Sequence, residues 1–378
     1  MIILEENKTA IMSDPKNHHY IPQSYLRNFA SERKKGHHEV FVKAKDKEIF
    51  NTNIENICSE KYLYTITGVP DDKKNLIENY YAVEIDSAFP TIVDIVTDDK
   101  VEEIDAETRK KFISSVLSLY FRTPKFLNRH NEFMLRLIRQ IKDYHLGNSE
   151  IRTADFFGRK LDLAKLNFEE LEDLIIRQNK LIFLKEHFRM FNSYVDYKIE
   201  DGIGINKIIN EYELITSDNP VSITNIYGKP FNLFDDDNMI SVPINNKYVL
   251  EILPHSLTDM KNTFHRIEGD LIPLLSSNHK IEENSERWLI GSKDGIENNF
   301  ILQKKYGEET PDNLEMLEKL KQSVILSKEF QELLVQLNTN PTDEIASKLK
   351  QLSENPILKD DSNIKRSIKE LREQGHKV

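Results

Sequence analysis

The chain has 378 residues, of which 39% are hydrophobic and 30% are charged, and a formal net charge of −11. This length and apolar content predict a globular protein with one large or two modest domains, and they exclude a collagen-like or wholly disordered chain. The only cysteine, Cys58, excludes an intramolecular disulfide and a cysteine-rich zinc site, which fits a reducing, cytoplasmic location.

The N-terminal half has mostly helical patterning. Residues 1–16 show little periodicity and are expected to form a disordered leader, within which Met12 is an alternative start. Alternating apolar and polar residues over 39–50 predict a β-hairpin. Helical spacing then predicts a helix over 75–96 that breaks at Pro90, two helices over 105–142 that separate near Pro124, and a helix over about 168–192.

The pattern changes after residue 195. The segment at about 195–302 is β-rich, and Asn245 with Asn246 suits a tight hairpin turn between alternating runs. From 311 to 378 the chain returns to short amphipathic helices. The sequence therefore predicts an α+β fold with a helix-rich N-terminal half, an antiparallel β-rich segment, a single domain over 17–305 and a helical C-terminal extension over 311–378.

The first cluster that could carry chemistry is HHYIPQSYLRNF at 18–29. If Pro22 opens a helix, then His19, Gln23 and Arg27 are spaced to share one face. An imidazole moves protons near neutral pH, and a guanidinium binds phosphate in a bidentate manner. The alternative is that these polar groups satisfy buried backbone while the neighbouring apolar residues form core.

The second cluster is a basic strip over 109–142, whose only acidic residue is Glu132. In a chain of net charge −11, such a strip is the footprint expected for phosphate-backbone contact. The alternative is internal pairing with the acidic segments at 102–105 and 234–238. The candidate nucleic-acid-binding residues are Arg109, Lys110, Lys125, Arg129, Arg136 and Arg139.

The third cluster is ELITSDNPV at 213–221, where Asp218 and Asn219 follow an apolar strand. This is good turn chemistry, and it also places a carboxylate and an amide at a strand edge, where ligands are often held. No cofactor is fixed by residue spacing, and a divalent metal such as Mg²⁺ is left open. The pair Arg139 and His145 has the spacing of the helical HEPN ribonucleases, but such a match is expected by chance in this composition.

Four segments together resemble, in content and order, the bacterial family known as domain of unknown function 4238. They are HHYIPQSYLRNF, NIENICSEKYLYT at 53–65, FRTPKF at 121–126 and LITSDNPV at 214–221. Some members of that family lie in phage-defence loci, so the resemblance implies an anti-phage role. The polar positions that match are His19, Gln23, Arg27, Arg122, Ser217, Asp218 and Asn219.

The leading hypothesis is a nuclease effector, with RNA the favoured substrate. In it, His19 moves a proton with Gln23 beside it, Arg27 and Arg122 bind the phosphate, and Asp218 and Asn219 orient the acid–base group or hold a metal. Two alternatives are a non-catalytic sensor that docks a partner and a hydrolase of a nucleotide such as NAD. A phage-derived trigger and a homo-oligomer through the C-terminal helices are left open. No membrane contact is expected, because no apolar run reaches the roughly 18 to 20 residues of a membrane helix.

Overall fold

In this computed structural model the chain has an α+β fold, as the sequence predicts. The predicted leader lies outside the described residues, and so does the side chain of His145. The structure describes residues 17–34, 36–66, 69–147, 153–156, 159–162, 165, 167–255, 264–307, 311–359 and 361–378.

Helices occupy most of the N-terminal half and the C-terminal end. They are α1 (Gln23–Leu26), α2 (Leu76–Tyr80), α3 (Phe89–Thr97), α4 (Ala106–Phe121), α5 (Pro124–Gly147), α6 (Phe168–Lys198), α7 (Leu271–Asn284), α8 (Lys293–Gly307), α9 (Pro311–Thr339), α10 (Asp343–Ser353) and α11 (Ser362–Glu373). Between α2 and α3 the chain forms a π-helical turn over Tyr81–Ile85 and a 3₁₀ turn over Asp86–Ala88. The predicted helix over 75–96 is thus interrupted before Pro90, which sits in the first turn of α3.

The strands are β1 (Asn17–His19), β2 (Ser31–Lys34), β3 (His37–Lys43), β4 (Phe50–Asn53), β5 (Ser59–Lys61), β6 (Thr153–Phe156), β7 (Arg159–Asp162), β8 (Ile203–Ile208), β9 (Thr216–Ser217), β10 (Ser222–Asn225), β11 (Asn238–Pro243), β12 (Tyr248–Ile252), β13 (Phe264–Gly269) and β14 (Leu289–Gly291). One sheet has the order β10-β11-β12-β8-β13, and its β8–β13 pair is parallel. A second has the order β2-β3-β14-β9, with β4 also on β3. Two-stranded antiparallel ribbons join β1 to β5 and β6 to β7.

The predicted β-hairpin and the predicted asparagine turn are both confirmed. The β3–β4 hairpin forms with Val42 opposite Phe50. In the turn between β11 and β12, the side-chain oxygen of Asn245 accepts the backbone N–H of Lys247 at 2.8 Å and that of Tyr248 at 2.9 Å. Such a side-chain bond to the backbone two residues onward is what makes asparagine a turn former.

Tyr25 ties the N-terminal motif to both large sheets. Its side chain is fully buried, and its hydroxyl donates to the carbonyl of Pro243 at the end of β11 at 2.7 Å. The same oxygen lies 2.7 Å from the hydroxyl of Thr216 in β9. Because one phenol satisfies two buried polar groups, α1 is fixed at the place where β9 begins and β11 ends.

The chain divides into two compact units, Met1–Ile296 and Glu297–Val378. The first contains both large sheets and one large apolar core. The second has an apolar core of its own, in which Phe330 of α9, Leu349 of α10 and Ile368 of α11 are buried. The limits of 305 and 311 that the sequence suggests for the family domain and the extension stay predictions.

Candidate functional site

The first motif does not form the helix that its spacing suggested. His19 ends β1, where it pairs with Ser59 of β5, and α1 begins only at Gln23 after the extended Pro22. The prediction that His19, Gln23 and Arg27 share one helical face is therefore wrong, since strand pairing holds the first residue outside the helix. Gln23 still reaches His19, with its amide nitrogen 3.4 Å from the imidazole Nε2. Arg27 lies in the 3₁₀ turn that follows α1 and is exposed.

The two adjacent histidines have different environments because successive residues of a strand point to opposite sides. His18 is fully buried, its ring stacks on Tyr64, and its Nδ1 accepts the backbone N–H of Tyr64 at 2.9 Å. His19 is partly exposed, and its Nε2 lies 3.3 Å from the carbonyl oxygen of Glu55. Burial, and then the positive charge of Arg122, lower the pKa of His19. His19 is therefore a neutral imidazole at pH 7 and can accept a proton.

Arg122 contacts the backbone of this histidine. It caps the C-terminus of α4, its side chain is 1% exposed, and its Nη1 donates to Asp86 at 2.5 Å. Its Nη2 donates to the backbone carbonyl of His19, and its guanidinium lies 4.4 Å from the ring centre of Tyr81. The Tyr64 hydroxyl donates to the carbonyl of Arg122. These partners occupy most of the guanidinium, so in this arrangement Arg122 holds His19 in place and leaves little of its donor capacity for a phosphate.

Glu78 of α2 is the residue that sequence reasoning missed at this site. Burial raises its pKa from 4.5 to about 7, while the charge of Arg122 and a hydrogen bond from the His19 backbone act in the opposite direction. Its Oε2 is buried and has no hydrogen-bond partner among the described residues. The only signal in the sequence is a carboxylate inside an apolar helical stretch, eight residues before Asp86.

The π-helical turn over Tyr81–Ile85 explains how Glu78 and Asp86 both approach Arg122. A π turn holds more residues than an α turn, so it changes which later residues face the same side as an earlier one. Such turns occur frequently at functional sites. His19, Gln23, Glu78, Asp86 and Arg122 thus form one polar cluster, called here the His19 cluster.

The third motif forms a neighbouring cluster in the interior. Asp218 is 4% exposed, and its Oδ1 accepts the backbone N–H of Glu286 at 3.0 Å. Asn219 is 2% exposed, and its amide donates to the carbonyl of Asn284 at 3.1 Å. Burial raises the pKa of Asp218. Both residues therefore hold the segment 284–288 in place, and in this arrangement they bond backbone groups.

Two contacts connect the third motif to the other two. Lys125, in the FRTPKF segment, donates to the same Asn284 carbonyl at 2.6 Å and lies 3.2 Å from Glu286. On the other side, burial and then the negative charge of Asp218 raise the pKa of the Cys58 thiol, which also bonds the Tyr20 hydroxyl. Tyr20 directly follows His19 in the chain. The three motifs thus converge in one unit, as two adjacent clusters.

The basic strip divides into buried and exposed members. Arg109 is 4% exposed and donates to the backbone carbonyls of Ile199, at 2.6 Å, and of Asp201. Lys125 bonds Asn284 and Glu286 of segment 284–288. Exposed members are Lys110, Arg129, Arg136 and Arg139, of which Arg139 lies 3.9 Å from Glu172.

One comparison with known proteins shows the family of the chain. The model of a family described as "Protein of unknown function (DUF4238)" matches residues 17–295. The chain belongs to this family. No curated protein and no solved structure matches it.

The matched residues of the family end one residue before the boundary of the first compact unit. The His19 cluster and the Asp218 cluster both lie within the match. Among the described residues, no group of three or more His, Cys, Asp or Glu side chains is placed to hold a metal ion. In the same part of the chain, no helix is long and apolar enough to cross a membrane.

Proposed function

We propose that the protein is a cytoplasmic anti-phage defence effector that cleaves RNA, with the 2′-hydroxyl groups of the RNA as nucleophiles. The observation that carries the proposal is that His19 and Glu78 lie in one cluster with the Arg122–Asp86 ion pair: Glu78 accepts a hydrogen bond from the His19 backbone, and Arg122 acts on the pKa of both groups. Its physiological role rests on the family, some members of which lie in phage-defence loci.

The two groups have complementary protonation states. His19 is neutral at pH 7 because its pKa is lowered, while Glu78, with a pKa of about 7, still carries a proton in a large fraction of molecules. Proton-transfer catalysis requires one group that can accept a proton and another that can donate one at the working pH, and these two protonation states meet that requirement.

In the proposed reaction, His19 takes the proton of a ribose 2′-hydroxyl as its oxygen attacks the adjacent phosphorus. Glu78 gives its proton to the departing 5′-oxygen as the phosphorus–oxygen bond breaks. The products are a 2′,3′-cyclic phosphate and a free 5′-hydroxyl. Because the nucleophile is the 2′-hydroxyl of the substrate, which DNA lacks, this reaction cleaves RNA and not DNA. Arg122 acts as a positioning residue, since it holds the carbonyl of His19 and lowers the pKa of its imidazole.

The test uses purified full-length protein with single-stranded RNA and DNA, with and without Mg²⁺, across pH 5 to 9. We expect RNA cleavage with a bell-shaped pH profile, in which one limb falls above pH 7 as Glu78 loses its proton. His19→Ala and Glu78→Gln should each lower the rate by about 10² to 10⁴-fold. Exposed His37 provides the matched control, because His37→Ala removes a histidine outside the cluster.

A non-catalytic sensor is the competing proposal, and the burial of Arg122, Asp218 and Asn219 favours it. These motif residues bond backbone groups, which is what a purely structural motif would do. Absence of RNA and DNA cleavage, together with full phage protection by His19→Ala, would refute the nuclease and favour the sensor.

A further inference from the structure

The loop over 226–237, which connects β10 to β11, exposes aromatic side chains that do not belong to the His19 cluster. Tyr227 is 64% exposed, Phe231 60% and Phe234 50%, and none of them belongs to the large core, whose aromatic rings are buried or partly buried. Three large exposed aromatic rings on one short loop make that loop a candidate contact site. We call Tyr227, Phe231, Phe234 and the adjacent Arg129 the aromatic ledge.

The loop is held rigidly by Asn225. Its side-chain oxygen accepts the backbone N–H of Tyr227 at 3.0 Å and that of Lys229 at 3.3 Å, and its amide donates to Asp235 at 3.0 Å. Gly228 between them has φ +68°, a conformation that favours glycine. The backbone that carries Tyr227 is therefore constrained, which lowers the entropic cost of ordering this part of the loop when a ligand binds.

Each of the two most exposed rings has a cation beside it. The guanidinium of Arg129 lies 5.6 Å from the ring centre of Phe231, and the ammonium of Lys229 lies 5.6 Å from that of Tyr227. Arg129 is anchored by a 3.0 Å hydrogen bond from its Nη1 to the Tyr120 hydroxyl. Rings alternating with cations are the arrangement by which proteins bind single strands, since bases stack on the rings and phosphates meet the cations.

The acidic run that follows neutralises one of these two charges, that of Lys229. Asp235 accepts hydrogen bonds from Asn225 and from the backbone N–H of Asp237. The carboxylate of Asp236 accepts the Tyr197 hydroxyl at 2.6 Å, and Asp237 pairs with Lys229 at 2.6 Å. Asp235 and Asp236 keep their negative charges but are held by these hydrogen bonds at the loop and its base, and the exposed guanidinium of Arg129 is the cation of the ledge that remains for a phosphate.

The ledge also lies close to the His19 cluster along the chain. Arg129 follows Pro124, the first residue of α5, by five residues, which is about 8 Å along a helix axis. Arg122 lies just before that helix. A single strand on the ledge would therefore run near the α4–α5 junction.

We infer that the aromatic ledge binds single-stranded RNA by stacking bases on Tyr227 and Phe231, with Arg129 on the phosphate backbone. This inference rests on the proposed function, because it names the surface that would hold the substrate.

The test separates binding from cleavage. Affinity of a fluorescently labelled 12-nucleotide RNA is measured by anisotropy on full-length His19→Ala protein, so that the strand stays intact. Adding Tyr227→Ala or Phe231→Ala should weaken binding by about 5-fold or more each, whereas Phe231→Tyr should preserve it. Arg129→Gln should reduce the salt dependence by the equivalent of about one phosphate contact. Exposed Ile209, replaced by alanine, is the matched control.

Two results would overturn the inference. One is RNA binding that survives the loss of both rings, and the other is no RNA binding by the full chain. If ring variants bind RNA normally but lose phage protection, the ledge serves a protein partner instead. Ring-dependent binding without any cleavage by the unmutated protein would sustain the ledge and refute the nuclease. Cleavage with an unchanged KM in the ring variants would do the reverse.

Discussion

Replacing Glu78 by glutamine tests the electrostatics of the His19 cluster without any assumption about its substrate. The carboxyl group has a pKa of about 7 in the folded protein, against 4.5 for an ordinary glutamate. Between those two pH values the unfolded chain releases the proton while the folded protein keeps it. Stability conferred by Glu78 is therefore fully present below pH 4.5 and is lost as the pH rises to about 7.

The size of this loss follows from the difference of about 2.5 pH units between those values. At 1.36 kcal/mol per unit, the free energy of unfolding should fall by about 3 kcal/mol because of this one group. Glutamine has nearly the same shape and no proton to lose, so Glu78→Gln should remove that loss. The variant should match the unmutated protein below pH 4.5 and exceed it by up to about 3 kcal/mol above pH 7.

Urea unfolding at pH steps from 4 to 8 measures the effect, because urea adds no ionic strength. Glu84→Gln serves as the control, since Glu84 is an exposed carboxylate less than two turns further along the chain. Curves of stability against pH that run parallel for Glu78→Gln and the unmutated protein would refute the argument. In that case Glu78 would ionise normally and could not serve as the acid.

Three further predictions concern the interior. Arg122→Met should cost about 3 kcal/mol in unfolding free energy, because it leaves Asp86 without its cation, whereas breaking the exposed Lys111–Glu107 pair should have no measurable effect. Tyr25→Phe should cost about 2 kcal/mol, since it leaves two buried polar groups unpaired, and thermal unfolding would report it. His187 is buried, and burial and then the Arg122 charge lower its pKa to about 3. Folding stability should therefore fall as the pH decreases from 6.5 towards 3, because the unfolded chain binds the proton first. His187→Gln should flatten this dependence of stability on pH, and an unchanged slope would contradict the argument.

Local features were predictable from the sequence because each depends on neighbouring residues. The β3–β4 hairpin, the Asn245 turn and the helix break before Pro124 all belong to this class. Burial and long-range pairing were not predictable, since they depend on which segments meet in space. The sequence identified Arg122 as a matching motif residue, but it could not reveal that Asp86 neutralises it.

The Glu78 carboxyl was missed for the same kind of reason. Its pKa is raised by burial, which depends on tertiary packing, and the π-helical turn between Glu78 and Asp86 brings both carboxyl groups towards Arg122. No residue type specifies such a turn. The exposed residues of the basic strip were only partly predictable, because charge patterning cannot distinguish buried Arg109 from exposed Arg136.

Burial of Asp218 and Arg122 affects how genetic experiments on this family should be read. A substitution that costs one or two kilocalories per mole can lower the amount of folded protein in a cell several-fold. If the proposed defence function holds, alanine variants of these residues would therefore lower protection by depleting the protein, whatever its chemistry. Protein abundance, measured beside phage resistance, is the quantity that makes a motif mutant informative, and His19 and Glu78, both only partly buried, are the positions where the two readouts can separate.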